Sequence, residues 1–297
     1  MADKNTVKAN KTIKQHYVPQ FYLKKFCNSN SKLYVYDKEK QNYFKATPKD
    51  ICFEKNLYEY EANNSLLGGG KPILPNDIEN IYADEEGKYS ALLDTIINRM
   101  DEQINPNALI LNSDEVDLLC SFVNNLLVRN PLSIKLVLTD DYYENFTNTL
   151  KKSSKDEVIN DIFKLLGLGN PESLKKAIFK KIYLDTDKSK SKAFTLKPYI
   201  KEMSFVFLKS ESESFITSSF PVRKAIMKDN QDYFDSLYFP LSPKYAINFF
   251  HDKTSDRNRI RTIDNEMTKK LNIWMAMDLD NRFLISNKKE NISIIIK

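Results

Sequence analysis

The spacing of apolar and polar residues divides the chain into three stretches. Residues 31–47 alternate apolar and polar side chains around a polar turn at residues 37–42, which is the pattern of a β-hairpin. After Pro75 the apolar residues recur every three or four positions, which predicts amphipathic helices. From Met203 onward short strand-like runs return, and we expect them to be antiparallel. The order of strands, helices and strands predicts an α+β fold with the helices grouped in the middle.

The predicted helical block covers about residues 76–200. Asn76 and Asp77 can cap a first helix that runs to about Met100. Ser113 lies at the cap signal of a second helix, which should stop or kink at Arg129-Asn-Pro131 because proline interrupts helical hydrogen bonding. Further helices are predicted at residues 134–150, 156–166 and 173–184, and a short helix is predicted at residues 20–26.

Strands are predicted mainly in the last third of the chain. We expect them at residues 204–209, 214–217, 235–239, 244–250 and 282–286, with a helix at residues 265–277 and a short early strand at residues 56–60. Residues 1–12 are rich in lysine and have little to bury, so they are predicted to be a flexible arm. Residues 13–297 are expected to form a single α+β domain.

Composition excludes several classes of protein. The chain has 297 residues, enough to bury a core without help from disulfides or metals. No apolar run approaches the roughly 20 residues of a membrane span, and the closest one, residues 292–297, is long enough only for a strand. Because the N-terminus also lacks the apolar segment of a secretory signal, we expect a cytoplasmic protein without a membrane partner.

The cysteines and glycines give no cofactor signature. Cys27, Cys52 and Cys120 are scattered and lack C-x-x-C spacing, which argues against a disulfide framework and a zinc knuckle. The glycine run at residues 68–70 lacks the G-K-[ST] ending of a phosphate-binding loop, so we interpret it as an ordinary loop.

The charge balance gives weak support for a nucleic-acid partner. The formal net charge is +5 and the isoelectric point is near 8.8. Arg257, Arg259 and Arg261 alternate along the chain and would point the same way in an extended strand, where they could follow a phosphate backbone. The alternative is an exposed basic loop without a ligand.

The stretch KQHYVPQFYLKKF, residues 14–26, holds His16, one of only two histidines. Pro19 favours an extended residue before it and can occupy the first position of a helix, so His16 should lie just before a short helix. There the imidazole could titrate near neutral pH and exchange protons with a ligand. The alternative is a histidine whose ring nitrogens are held by backbone groups.

The same stretch resembles the opening H-x-x-P-x-x-x-L-x-x-F pattern of the mostly bacterial family called Domain of Unknown Function 4238. Further blocks in the same order resemble other segments of the family: Leu57-Tyr-Glu-Tyr60, Phe122 with Arg129-Asn-Pro131, residues 215–222 and residues 239–243. Ser219 stands where many relatives are expected to carry aspartate. The family name specifies no reaction, so the resemblance implies candidate residues only.

These candidates combine the groups that a hydrolytic or phosphoryl-transfer site needs. His16 would be a general acid or base, Gln20 would orient it, and Arg129 would stabilise developing negative charge, although Arg129 could equally cap helix carbonyls. Thr217, Ser218 and Ser219 end a strand and would donate hydrogen bonds to a substrate, or simply form a turn. They do not form a G-x-S-x-G nucleophile elbow, so an esterase is not favoured.

Glu79 and Glu86 are the candidate metal ligands. They are seven residues apart, which places them on one face of a helix, where they could hold Mg²⁺. The alternative is a solvated charged face, so the sequence leaves open whether Mg²⁺ or no cofactor is used.

Together these residues predict a nucleic-acid-processing hydrolase, with a defence- or toxin-type nuclease as the specific hypothesis. An RNase is favoured, because the 2′-hydroxyl of RNA can act as the nucleophile. The alternative is a non-enzymatic sensor or partner-binding module in which the His16 block packs a core.

Overall fold

The computed structural model describes residues 14–58, 77–102, 105, 108–137, 139, 196–225, 235–251 and 257–296. The predicted arm at residues 1–12 and the helices predicted at residues 156–166 and 173–184 lie outside the described residues, as does most of the helix predicted at residues 134–150.

The N-terminal part contains the predicted hairpin and the predicted short helix. Helix α1 begins directly after Pro19, whose ring fixes the backbone at φ −58°. The strand that precedes this helix was not predicted. This strand ends at His16 and pairs antiparallel with a strand that follows the hairpin, so that His16 lies opposite Phe53. The elements in order are β1 (Lys14–His16), α1 (Gln20–Lys24), β2 (Leu33–Asp37), β3 (Asn42–Ala46), a 3-10 turn (Pro48–Asp50) and β4 (Phe53–Lys55).

Capping interactions define the start of the second long central helix. The second long helix carries a capping box in which Asn112 accepts from the Glu115 backbone N–H at 3.0 Å and Glu115 accepts from the Asn112 N–H at 2.9 Å. It ends at Arg129, before Pro131. The described helices of this block are α2 (Asp77–Glu102), α3 (Ser113–Val128), α4 (Pro131–Val137) and α5 (Lys197–Glu202).

The C-terminal part supplies most of the remaining strands. They are β5 (Ser204–Ser210), β6 (Thr217–Ser218), β7 (Arg223–Ala225), β8 (Ser236–Pro240), β9 (Tyr245–Phe250), β10 (Ile260–Ile263) and β11 (Phe283–Ser286), accompanied by α6 (Asn265–Ala276) and α7 (Lys289–Ser293). A five-stranded sheet has the order β10-β5-β9-β8-β7, and a four-stranded sheet has the order β3-β2-β11-β6. The second sheet therefore joins the N-terminal hairpin to C-terminal strands.

Four details differ from the sequence predictions. The strand predicted at residues 214–217 is only two residues long, Thr217–Ser218. Leu57 and Tyr58 lie in a turn. Strand β10 pairs parallel with β5, whereas the other pairings of the C-terminal strands are antiparallel. The apolar run at residues 292–297 begins in helix α7 and forms no described strand.

The α+β class is confirmed, with an N-terminal hairpin, central helices and a C-terminal sheet that is antiparallel except at one edge. The expectation of a single domain stays a prediction. Among the described helices, none combines the length and the apolar composition that crossing a bilayer requires.

Tyr22 fixes helix α1 to the sheets. Its ring stacks on Phe239 with a centroid distance of 5.3 Å and meets Phe122 of α3 edge-on at 6.5 Å. Its hydroxyl is 2.6 Å from Thr217 Oγ1 and donates to the Pro240 carbonyl at 2.8 Å. One buried side chain thus contacts a helix and both sheets, and holds the segment that carries His16 and Gln20.

The Tyr22→Phe variant should lower the free energy of unfolding by about 1–3 kcal/mol, because buried hydrogen-bonding groups lose a partner while the ring packing is kept. Urea unfolding monitored by circular dichroism measures the change. Tyr34→Phe is the matched control, since the Tyr34 hydroxyl makes no hydrogen bond with the described residues. Equal stabilities for the two variants would contradict the assigned role of Tyr22.

Candidate functional site

Arg129 lies at the C-terminal end of α3 and is enclosed by the protein. Its relative exposure is 1%, although arginine is rarely this buried without partners. Each of its three guanidinium nitrogens donates to a described residue. Nη1 donates to Glu86 Oε1 at 2.8 Å and to Asn125 Oδ1 at 3.2 Å, Nε donates to the Tyr58 hydroxyl at 3.1 Å, and Nη2 donates to the His16 carbonyl.

The electrostatic surroundings keep Arg129 charged. Burial opposes the charge, but interactions with Tyr58 and Glu86 outweigh burial and raise the pKa of Arg129. The guanidinium also lies over the Tyr82 ring, 4.6 Å from its centroid. Because each guanidinium nitrogen already donates to the protein, the geometry supports a positioning role for Arg129. The predicted contact of Arg129 with transition-state charge stays a prediction.

His16 receives support on its backbone side. Its carbonyl accepts from the Tyr58 hydroxyl at 3.0 Å and from Arg129. The neighbouring Gln15 side chain accepts from the Tyr58 backbone N–H at 2.7 Å. These bonds fix the end of β1, and therefore the Cα position from which the imidazole projects.

The His16 imidazole is half-buried and linked to Gln20. The Gln20 amide nitrogen lies 3.5 Å from Nδ1, a long hydrogen bond, and the ring packs against Phe53 at a centroid distance of 5.5 Å. A backbone group of Lys49 lies near the ring, yet Nε2 is buried and has no partner of good hydrogen-bond geometry among the described residues. A neutral ring that accepts at Nδ1 carries its proton on Nε2.

The surroundings lower the pKa of His16. Burial is the largest cause, and the positive charges of Arg129 and Lys14 act in the same direction. The Lys49 backbone and Glu86 oppose this shift without overcoming it. The imidazole is therefore neutral at physiological pH, which is the form that can accept a proton.

An open cleft of about 420 Å³ lies beside Gln20. Its wall does not include the His16 ring, which is connected to the cleft through the Gln20 side chain. Lys24 and Lys49 are among its lining residues, and no carboxylate is found among the lining residues that the structure describes. The lining residues are Gln20, Lys24, Cys27, Ser31, Thr47, Pro48 and Lys49.

The predicted hydroxyl residues Thr217, Ser218 and Ser219 lie inside the protein. Thr217 meets Tyr22, as described above. Ser218 Oγ donates to the Phe220 carbonyl at 2.8 Å, and Ser219 Oγ accepts from the backbone N–H of Arg282 at 2.9 Å. All three side chains are buried and engaged in internal bonds, so the geometry favours the turn interpretation. The structure does not bring them to the cleft, and substrate binding by them stays a prediction.

The predicted metal ligands also have protein partners. Glu86 forms an ion pair with Arg129, and Glu79 is half-buried and engaged within the protein. Within the described ranges, no group of three or more His, Cys, Asp or Glu side chains could hold a metal ion. Metal binding at Glu79 and Glu86 therefore stays a prediction without geometric support.

The predicted row of arginines is interrupted. Asn258 has a left-handed φ of 58° and its amide donates to the Leu111 carbonyl at 2.6 Å, so the chain turns between Arg257 and Arg259. Arg261 lies in β10 at the edge of the five-stranded sheet. The three side chains cannot form one extended row, and none of them lines the cleft.

Sequence reasoning missed Tyr58, Lys24 and Lys49 as parts of the site. Tyr58 lies in the Leu57-Tyr block that was compared with the family, but no local pattern predicts its contact with Arg129. Lys24 belongs to the His16 stretch itself. In residues 14–58 there are nine lysines and four acidic residues, so only the fold distinguishes the two cleft lysines from the others.

The fold and site define an α+β protein with a neutral histidine next to a basic cleft. A comparison with protein families matches residues 14–290 to the family described as "Protein of unknown function (DUF4238)". The chain belongs to this family, as its sequence motifs indicated. No curated protein and no solved structure matches the chain.

The Arg129→Met variant should lower the free energy of unfolding by about 3 kcal/mol or more, because it leaves Glu86 and the His16 carbonyl without their shared donor. Guanidinium unfolding measures this loss. Lys270→Met is the control, since Lys270 forms only an exposed ion pair with Glu266 and its loss should change nothing measurable. Similar losses for both variants would contradict the central position of Arg129.

The lowered pKa of His16 predicts a pH-dependent stability. As pH falls below about 6.5, the usual histidine pKa, the unfolded chain takes up a proton that the folded protein resists, so the free energy of unfolding decreases. The His16→Gln variant should lack this component between about pH 8 and pH 5. Parallel curves for the wild type and the His16→Gln variant would argue against the shift.

Proposed function

We propose that the protein is a nucleic-acid-processing hydrolase, specifically an RNase, in which His16 transfers protons at the edge of the cleft. The observation that carries the proposal is the placement of His16. A neutral, half-buried imidazole is joined through Gln20 to a cleft whose described lining residues include two lysines and no carboxylate. Such a cleft attracts an anionic substrate, and a histidine with a lowered pKa provides a base at neutral pH.

In the proposed reaction the 2′-hydroxyl of RNA is the nucleophile. Gln20 turns its amide toward the bound phosphate and releases Nδ1, which accepts the 2′-hydroxyl proton. The 2′-oxygen forms a bond with phosphorus while the bond to the 5′-oxygen breaks. The resulting imidazolium returns its proton to the leaving oxygen. The cleft lysines reduce the cost of the negative charge that develops on the phosphoryl oxygens.

Arg129 acts indirectly in this proposal. It holds the His16 carbonyl and thereby the end of β1. Thr217 acts through Tyr22, which positions the helix that carries Gln20. Neither residue touches the substrate. The proposal also includes a nucleic acid or a nucleotide as the ligand, a cytoplasmic location, and a role in defence or as a toxin.

One observation favours a second candidate function. The His16 ring lies behind Gln20 and does not form part of the cleft wall. The cleft could therefore bind an anionic ligand without any chemistry, as a sensor or partner-binding module would. Under that alternative, replacing His16 would change stability or affinity and no turnover would exist to be lost.

Purified protein incubated with labelled RNA, single-stranded DNA and duplex DNA should cleave RNA. The His16→Ala variant should lose about a hundredfold or more of this activity, because a general acid or base contributes on the order of 10²–10⁴ to a rate. His251→Ala is the matched control and should cleave like the wild type. Lanes with Mg²⁺, Mn²⁺ or EDTA determine whether the reaction needs a metal.

Full activity of His16→Ala would overturn the assignment of His16. Absence of cleavage under every condition would favour the binding module. Melting curves of both histidine variants must be recorded alongside, so that a loss of activity is not confused with unfolding.

A further inference from the structure

The cleft beside Gln20 has the dimensions of a site for one small molecule. Its volume of about 420 Å³ is in the lower part of the range of pockets that enclose such ligands. The cleft has room for about one nucleotide unit. A base in a duplex is stacked and paired, so it can enter such a space only after unpairing.

The lining of the cleft matches the two parts of a nucleotide. Much of the lining surface is apolar, and a base could pack against the half-buried Cys27 thiol and the small part of Pro48 that reaches the cleft. Lys24 and Lys49 are exposed at the border and have no ion-pair partner among the described residues, so their charges are available to a phosphate. Free phosphate alone would leave the apolar part uncovered.

The surroundings strengthen the preference for an anion. Residues 14–58 carry nine lysines against four acidic residues. Asp50, the acidic residue nearest in sequence to Lys49, accepts from Thr47 Oγ1 and does not line the cleft. The local field therefore attracts a negatively charged strand and weakens with added salt.

We propose that this cleft holds a single unpaired nucleotide of a nucleic-acid strand, with its phosphate on Lys24 and Lys49 and its base against Pro48. This inference rests on the proposed function, because it names the substrate class of the same site. The consequence is a preference for single strands over duplexes. Gln20 contacts the bound nucleotide from the side that faces His16.

Binding can be measured without turnover on the His16→Ala background. The probe is a fluorescently labelled, mixed-sequence RNA of about eight nucleotides, used as a single strand and as its annealed duplex. Fluorescence anisotropy in EDTA should show the single strand binding at least about tenfold more tightly than the duplex. Adding Lys24→Gln and Lys49→Gln together should weaken single-strand binding by about tenfold or more.

Lys45→Gln is the matched charge control, because Lys45 is exposed on β3 and lies over the Tyr34 ring, away from the cleft lining. It should change affinity much less than the double lysine variant. Melting curves of the variants confirm that they fold.

Cys27 provides an independent measurement of where the RNA binds. It is half-buried in the cleft wall, whereas Cys52 and Cys120 are buried, so a thiol reagent should label Cys27 first. Bound single-stranded RNA should slow this labelling.

Three results would overturn the inference: equal binding of duplex and single strand, unchanged affinity of the double lysine variant, or binding without protection of Cys27. Equal competition by polyglutamate would assign the cleft to an acidic protein segment and would also overturn the inference.

Failures of the two proposals are distinguishable. Cleavage by the wild type without protection of Cys27 rejects only the nucleotide site, whereas the expected binding without any wild-type cleavage rejects only the hydrolase.

Discussion

The structure around the candidate site depends on one enclosed positive charge. The Arg129 guanidinium connects the end of α3 to Glu86 of α2, to Tyr58 after β4 and to the carbonyl of His16 in β1. Burying such a charge is costly unless its N–H groups are hydrogen-bonded. The folded protein therefore needs all of these partners in place at once. This requirement makes the position of His16 a consequence of how the helices pack. Arg129 and Tyr58 together link α2 to β1, since Tyr58 packs on Tyr82 and donates to the same His16 carbonyl.

The candidate site combines a rigid part with an open part. Arg129, Tyr58 and Tyr22 are buried and hold backbone positions, whereas Lys24 and Lys49 are exposed. Gln20 links the two parts, because it bonds to the His16 ring and lines the cleft together with both lysines. Many binding sites are built in this way, since precise placement of a reactive group requires a packed support while capture of a ligand requires exposed charge.

Sequence rules that concern neighbouring residues predicted the start of two helices and the position of the hairpin. Pro19 indicated the start of α1, the polar turn at residues 37–42 indicated the hairpin, and the cap signal before α3 was correct to within one residue. Contacts between distant segments were not predictable from a single sequence. The pairing of β1 with β4, the parallel β10 and the enclosure of Arg129 depend on the packing of residues far apart in the chain. The sequence placed Thr217 and Ser218 correctly at a strand but could not indicate that their hydroxyls point into the core.

The four-stranded sheet has a consequence for the order of folding. Its strands β2 and β3 come from the first sixth of the chain, but β2 pairs with β11, which lies within the last fifteen residues. The edge of the hairpin that pairs with β11 therefore has no partner until the segment at residues 283–286 reaches it. Pairing over such a long separation is slow, and exposed strand edges invite association with other chains. Closure of the four-stranded sheet is therefore expected to be a late step in folding that follows the local pairing of β2 with β3.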